Sequence, residues 1–288
     1  MKYHLHENKW TVLLDNFDYA TATQSDIDHI ACLLATNTLV IARNQTLTVQ
    51  DELRVSEMFG VVQDVSALAH VPPYKSILVD GSHNKVVRVT GELDEHGQPG
   101  LFGHVSELDW HCNQAATPTR KPLVWLRGLR GTAGSRTSWL NNIMSYNDLA
   151  NENKAALTDL KMFCGFAVRH GYSEFDFNDK TEEDYNEHYT PRLVHTNIGG
   201  QTGLFFPFLQ IRNFVGLSED HSRTIISDLR HHVLQEKYMY HHDWQDGDVV
   251  IAEQWLGLHK RWKFDDMPTR VLHRTAFDFA HSDLSGIA

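Results

Sequence analysis

The chain has 288 residues, 41% of them hydrophobic, which suffices for a packed core and excludes global disorder. A formal net charge of −11 argues against a nucleic-acid partner, because neutralising phosphates needs a basic face. No apolar run reaches the roughly eighteen residues of a membrane span, and the opening MKYHLHENKWTV lacks the apolar stretch of a secretory signal.

In chain order, Ser25 is placed to cap a helix over DIDHIACLLA, where Ile27, Ile30, Leu33 and Leu34 recur at helical spacing. TLVIAR reads as a short apolar strand, and TVQDELRVSEMFG as a second helix stopped by Gly60. SILVDG and KVVRVTG read as strands and DEHGQPGLFG as turns. KPLVWLRGL is an apolar strand, GTAGS a turn, and TSWLNN leads into a helix over NIMSYNDLA. A further helix is expected over ENKAALTDLKMF. After the acidic FDFNDKTEEDYNEHY, strands return in PRLVHTN and GLFFPFLQI. LSEDHSRTIISDLRHHVLQ is a long amphipathic helix, and GDVVIAEQW and TRVLHRTAFDF are the last strands.

Helices thus flank many short strands with no βαβ rhythm, which predicts a mainly β architecture, a jelly roll with helices packed outside. No internal repeat or low-complexity linker divides the chain, so one domain over residues 1–288 is the simplest organisation. Cys32, Cys112 and Cys164 are widely spaced, odd in number and form no CxxC pair, a pattern suited to a reducing, cytoplasmic compartment.

LDWHCNQ, residues 108–114, carries the first sign of chemistry. On an extended segment, alternation puts Asp109, His111 and Asn113 on one face and Trp110 and Cys112 on the other. Far downstream, GDVVIAEQWLGLHKRW places His259 just beyond a buried strand, and Arg270 and Arg274 follow at a spacing that shares a strand face. Two histidines and one oxygen ligand on one side of a metal leave three positions open, the arrangement by which non-heme iron holds a cosubstrate and oxygen together. An arginine nearby suits a carboxylate through bidentate, charge-assisted hydrogen bonds. Alone, a His-x-Asn is weak evidence in a chain with 19 histidines.

Together these segments resemble the taurine dioxygenase (TauD/TfdA) family of iron(II)/2-oxoglutarate-dependent oxygenases over about residues 20–280. TLVIARNQTLTVQDE with the later MFG resembles the family's opening strand and helix. WHCN, Pro122 and GTAGSRTSWLNNIMSYNDL resemble its first ligand segment and the stretch behind it. PRLVHTNIGGQTGLFF resembles its strand pair, and GDVVIAEQWLGLH followed by TRVLHR its distal histidine and arginine segment. The resemblance implies a double-stranded β-helix (jelly roll) of the clavaminate synthase-like kind. It implies Fe(2+) held by His111 and His259, and 2-oxoglutarate, used with O2, gripped at its distal carboxylate by Thr137 and Arg270. Arg274 then faces the active site near the substrate or the keto-acid end of the cosubstrate.

Asn113 stands where the family has Asp or Glu, and four arrangements follow. The Asn113 side-chain oxygen or a water binds the metal. A halide fills the position, as in halogenating relatives that carry Gly or Ala there. A neighbouring carboxylate, Asp109 or Glu107, substitutes. Or the metal is lost and the fold is a non-catalytic ligand-binding protein. The expected activity is hydroxylation or another oxidation of an unactivated C–H of a small polar metabolite, an amino acid or natural-product intermediate, with a 2-oxoglutarate-dependent halogenase as the alternative. The expected partner is a small molecule, not nucleic acid or membrane, and a homo-oligomer is compatible with the resemblance. His104, His195, His241, His242 and His273 are expected to be structural, and TEEDYNEHY and HVPPYKS to be solvated loops.

Overall fold

The computed structural model describes residues 1–66, 77–93, 96–97, 107–165, 188–265, 269–281 and 284. The chain opens with β1 (Tyr3–Leu5), β2 (Thr11–Leu14), α1 (Gln24–Asn37), β3 (Leu39–Ala42), α2 (Val49–Phe59) and β4 (Val87–Thr90). Next come β5 (Leu108–His111), β6 (Leu123–Arg130), β7 (Arg136–Asn141), α3 (Asn142–Asn147), α4 (Asn151–Leu157) and β8 (Met162–Cys164). The remainder is β9 (Val194–Thr196), β10 (Thr202–Leu204), β11 (Ile211–Phe214), α5 (Glu219–Val233), β12 (Met239–Asp243), β13 (Val249–Glu253), β14 (Gly257–Arg261) and β15 (Val271–Phe277).

A seven-stranded sheet in the order β1-β2-β3-β13-β6-β15-β4 faces a four-stranded sheet in the order β12-β7-β14-β5. The central strands of the larger sheet are apolar on both faces, and alternation sorts their residues into two cores. Leu39, Ile41, Val124, Val250, Ala252 and Leu272 point inward, where Trp139 and Tyr240 of the smaller sheet and Trp244 meet them. Val40, Ala42, Leu123, Trp125, Val249 and Ile251 point outward under α1 and α2. A third core lies outside the smaller sheet, where Trp110, Cys112, Leu140 and Leu258 pack against Phe205, Phe206 and the apolar face of α5. The outcome is the expected mainly β jelly roll with helices outside.

Local sequence explains the helices with one correction. α1 is capped by Thr23, not Ser25: Thr23 is extended and accepts from the Asp26 backbone, while the Asp26 side chain reaches back to the Thr23 backbone. Ser25 already lies within the first turn, where its side chain is not at the capping position. α2 has the same reciprocal box from Thr48 and Asp51. It stops at Gly60, where a Cβ would sit 2.5 Å from the Asp278 carbonyl oxygen.

Other boundaries also differ from expectation. Within SILVDG the described part makes only one bridge, Leu78 to Val87. The helix expected over ENKAALTDLKMF ends at Leu157, because Met162, Phe163 and Cys164 pair with β11 instead. His259 lies beyond the buried strand β13 as expected, and the LHKR segment that carries it is itself a strand, β14. β1, β2 and β12 carry no pattern strong enough to announce them. HVPPYKS, His104 and residues 181–187 of TEEDYNEHY lie outside the described residues.

Candidate active site

β5 and β14 run antiparallel with His259 directly opposite His111. Their ring centroids are 4.2 Å apart. His111 Nδ1 lies 2.6 Å from the Asp109 carbonyl oxygen, which can only accept. That nitrogen therefore carries the proton, and Nε2 presents its lone pair. Burial pushes the His111 pKa down to about 4. Burial, then the neighbouring His111 and Arg274, holds His259 well below the ordinary histidine value. Both rings are neutral at pH 7, the form in which imidazole binds a metal.

The pairing of β5 with β14 slips after this point, so Arg261 meets Leu108 rather than the next residue in phase. This bulge overturns the expectation that Asp109 shares the face of His111. The Asp109 carboxylate instead lies 3.3 Å from Lys260 and 3.8 Å from Arg230 of α5, and Glu107 lies 2.7 Å from the same Lys260. Both acids are thus committed to cations on the outer side of the smaller sheet.

β5 ends at His111, and the next two residues are held by side-chain amides rather than by a strand. Gln210 pairs with both backbone groups of Cys112, accepting from its N–H at 3.1 Å and donating to its carbonyl at 2.9 Å. Gln254 Oε1 accepts from the Asn113 backbone N–H at 3.0 Å and from Asn113 Nδ2 at 2.8 Å. Among the described residues no three His, Cys, Asp or Glu side chains come together as a metal site. Two residues on from His111, an amide stands where an acid would have supplied the third. Two neutral imidazoles with an amide oxygen remain a usable donor set for a divalent ion.

Thr137, on β7, lies opposite Arg261 of β14 and His242 of β12. Its Oγ1 accepts from the Trp244 indole at 2.9 Å, which leaves the hydroxyl hydrogen to donate elsewhere. Behind Trp244, His242 Nε2 meets Asp248 at 3.0 Å, and Asp248 also pairs with Arg43. Arg270 is buried at the entry to β15, with Nε donating to Ser135 Oγ at 3.1 Å and Nη1 buried without a partner. Burial, then the nearby Arg261, lowers its pKa to about 9, so it stays cationic at neutral pH. Arg274 alternates with His273 on β15: His273 turns outward to Glu52 of α2, so Arg274 turns inward with Leu272. Its Nε is buried without a partner, and its charge is felt by both histidines.

The structure thus gathers His111, His259, Thr137, Arg270 and Arg274 on the inner walls of the two sheets. It adds Arg261, buried two residues beyond His259, which sequence reasoning missed. Reading GLHKR as a strand would have found it by simple alternation. His195 stacks on Trp255 with centroids 4.1 Å apart, and His241 bonds to Ser138 and Glu236.

The profile described as "Taurine catabolism dioxygenase TauD, TfdA family" matches residues 5–276. Pentalenolactone F synthase from Streptomyces arenae is 23% identical over 258 residues, covering 84% of this chain and 82% of that protein. The alpha-ketoglutarate-dependent 2,4-dichlorophenoxyacetate dioxygenase of Burkholderia sp. (strain RASC) is 20% identical, with 82% and 80% covered. In three dimensions the chain superposes on AAD-2, crystallised with Mn(II) and N-oxalylglycine, with a TM-score of 0.78, 17% identity and 98% of each chain covered. A taurine dioxygenase from Burkholderia xenovorans gives 0.71 at 20% identity, covering 93% of this chain and 85% of that one. A profile match over nearly the whole chain, on a fold shared with those enzymes, makes this protein a member of the TauD/TfdA family and a 2-oxoglutarate-dependent oxygenase.

Proposed function

We propose that His111, His259 and the side-chain oxygen of Asn113 hold a ferrous ion. The register that sets the two histidines face to face, with Arg274 turned toward them from the other sheet, is the observation that carries this reading. Arg270 and Thr137 grip the distal carboxylate of 2-oxoglutarate, the guanidinium through its partnerless Nη1 and the threonine through its free hydroxyl hydrogen. Arg274 sits at the keto-acid end or against an anionic group of the substrate. When bound, the metal supplies oxygen activation, coupling decarboxylation of the cosubstrate to succinate with oxidation of a substrate C–H. The residues of the chain bind, orient and screen.

The substrate class is a small polar metabolite. Oxygenation is favoured over halogenation because Gln254 holds the Asn113 amide in place, so position 113 carries a side chain rather than a gap. A neutral third ligand brings no negative charge to the metal, and weaker metal affinity than in carboxylate-bearing relatives follows. One domain over residues 1–288 belongs to the same proposal and is supported by the span of the profile match. So does a reducing compartment, on the odd number and wide spacing of the three cysteines.

The test adds Fe(II) and 2-oxoglutarate to the pure protein without oxygen, then admits air. A visible charge-transfer band, followed by succinate, is expected, and both should vanish in His111→Ala and His259→Ala. A protein that shows neither band nor succinate refutes the proposal.

A further inference from the structure

The turn after His111 contains a chain of hydrogen bonds whose polarity can be read without ambiguity. Lys121 offers a backbone carbonyl, which only accepts, and the Gln254 side chain contacts it at 3.1 Å. The Gln254 atom at that contact is therefore Nε2, and its Oε1 faces the other way. The backbone N–H of Asn113 donates to that Oε1 at 3.0 Å, which confirms the direction independently. The Asn113 side-chain atom 2.8 Å from the same oxygen must then be a donor, so it is Nδ2. Hence Oδ1, not Nδ2, is the Asn113 atom left for a metal. Gln254 itself cannot turn over freely: it is 2% exposed, and its backbone N–H is tied to the Pro122 carbonyl at 2.8 Å.

A carboxylate at position 113 has no proton to give. It would set an oxygen against Gln254 Oε1 at hydrogen-bond distance, and relieving this by flipping Gln254 would break the bonds to Lys121 and to the backbone of residue 113. We propose that Gln254 is the positioning residue of the third metal position, orienting the Asn113 amide oxygen-outward and matching the site to a neutral amide rather than a carboxylate. This rests on the metal reading above. Outer-shell partners that orient a ligand are typically worth about 10- to 100-fold in metal affinity. Gln210 holds Cys112 by backbone groups alone and serves as a neighbouring control.

The experiment titrates Mn(II) into the full-length, metal-free protein and follows free Mn(II) by electron paramagnetic resonance. Gln254→Met should weaken binding about 10-fold or more, yet have no further effect on top of Asn113→Ala. Asn113→Asp by itself should not tighten binding, although a carboxylate ordinarily binds a divalent ion better than an amide. Combined with Gln254→Met it should bind at least about 10-fold more tightly than Gln254→Met alone. Gln210→Met should not couple to Asn113. Equal losses from Gln254→Met in both backgrounds, or no loss at all, would overturn the proposal. So would a clear gain from Asn113→Asp alone, a readout that stands even where Gln254→Met fails to fold. Wild-type protein that binds no Mn(II), or still binds it in His111→Ala, refutes the metal reading and this inference together. His111-dependent binding that ignores Gln254 refutes this inference only.

Discussion

Arg270, proposed above to hold the distal carboxylate of the cosubstrate, is buried beside Arg261, and its geometry suits that role. Ser135 occupies Nε and so orients the guanidinium plane, while Nη1 stays buried and partnerless. A hydrogen bond to a charged group contributes about 1.5–3 kcal/mol, so Arg270→Leu should raise the KM for 2-oxoglutarate about 10- to 100-fold. Arg270→Lys should recover only part, since a lysine cannot make the bidentate fork. Steady-state succinate formation against cosubstrate concentration measures both, and an unchanged KM would remove Arg270 from the cosubstrate site. At this scale the motifs and the resemblance bring forward His111, His259, Thr137, Arg270 and Arg274, and the fold sets all five on the facing walls of the two sheets. Asp109 was misplaced, because alternation presumes an unbroken ladder and cannot foresee a bulge.

The connection between β13 and β14 decides where His259 enters the site. Glu253 closes it by accepting from the backbone N–H groups of Trp255 at 2.9 Å and Leu256 at 2.8 Å. Arg120 packs its guanidinium 3.8 Å from the Trp255 ring and 3.9 Å from Phe205, tying the loop that follows Asn113 to the same connection. Burial lifts the Glu253 carboxyl to about 7, despite the backbone donors and Arg120 that oppose it. Its folded pKa is raised, so its stabilising contribution is present below the ordinary carboxylate pKa and is lost as pH rises through about 7. Glu253→Gln does not titrate. Its stability relative to wild type should therefore improve by about 1–3 kcal/mol between pH 4.5 and pH 8, measured by denaturant unfolding. A constant difference across that range would show that Glu253 titrates normally. None of this was legible in GDVVIAEQW, since a strand pattern says nothing of the turn that follows.

Across the whole molecule, the helical layer is locked to the larger sheet by a buried charge cluster on the face of β15 opposite the candidate site. Glu52 of α2 is fully buried and meets both Arg127 of β6 and His273 of β15. Removing one member of such a cluster leaves uncompensated charge, so Glu52→Leu should cost about 3–5 kcal/mol of stability. Mn(II) affinity of the folded fraction should be unaffected, because His273 and Arg274 point to opposite faces of β15. Thermal unfolding and the Mn(II) titration together test this, and a coupled loss of metal affinity would refute that separation.

The amino-acid sequence by itself determined the class of element at most positions, the two-sheet architecture and the residue types of the site. These follow from burial periodicity and from chemistry that few other residues can perform. Tertiary structure alone decided which of those residues meet. The slip in β5–β14 pairing turned Asp109 to Lys260, the same strand brought Arg261 inward, and Gln254, 141 positions away, set which atom of Asn113 is free. Strand register and amide orientation depend on partners distant in the chain, and no local pattern records them.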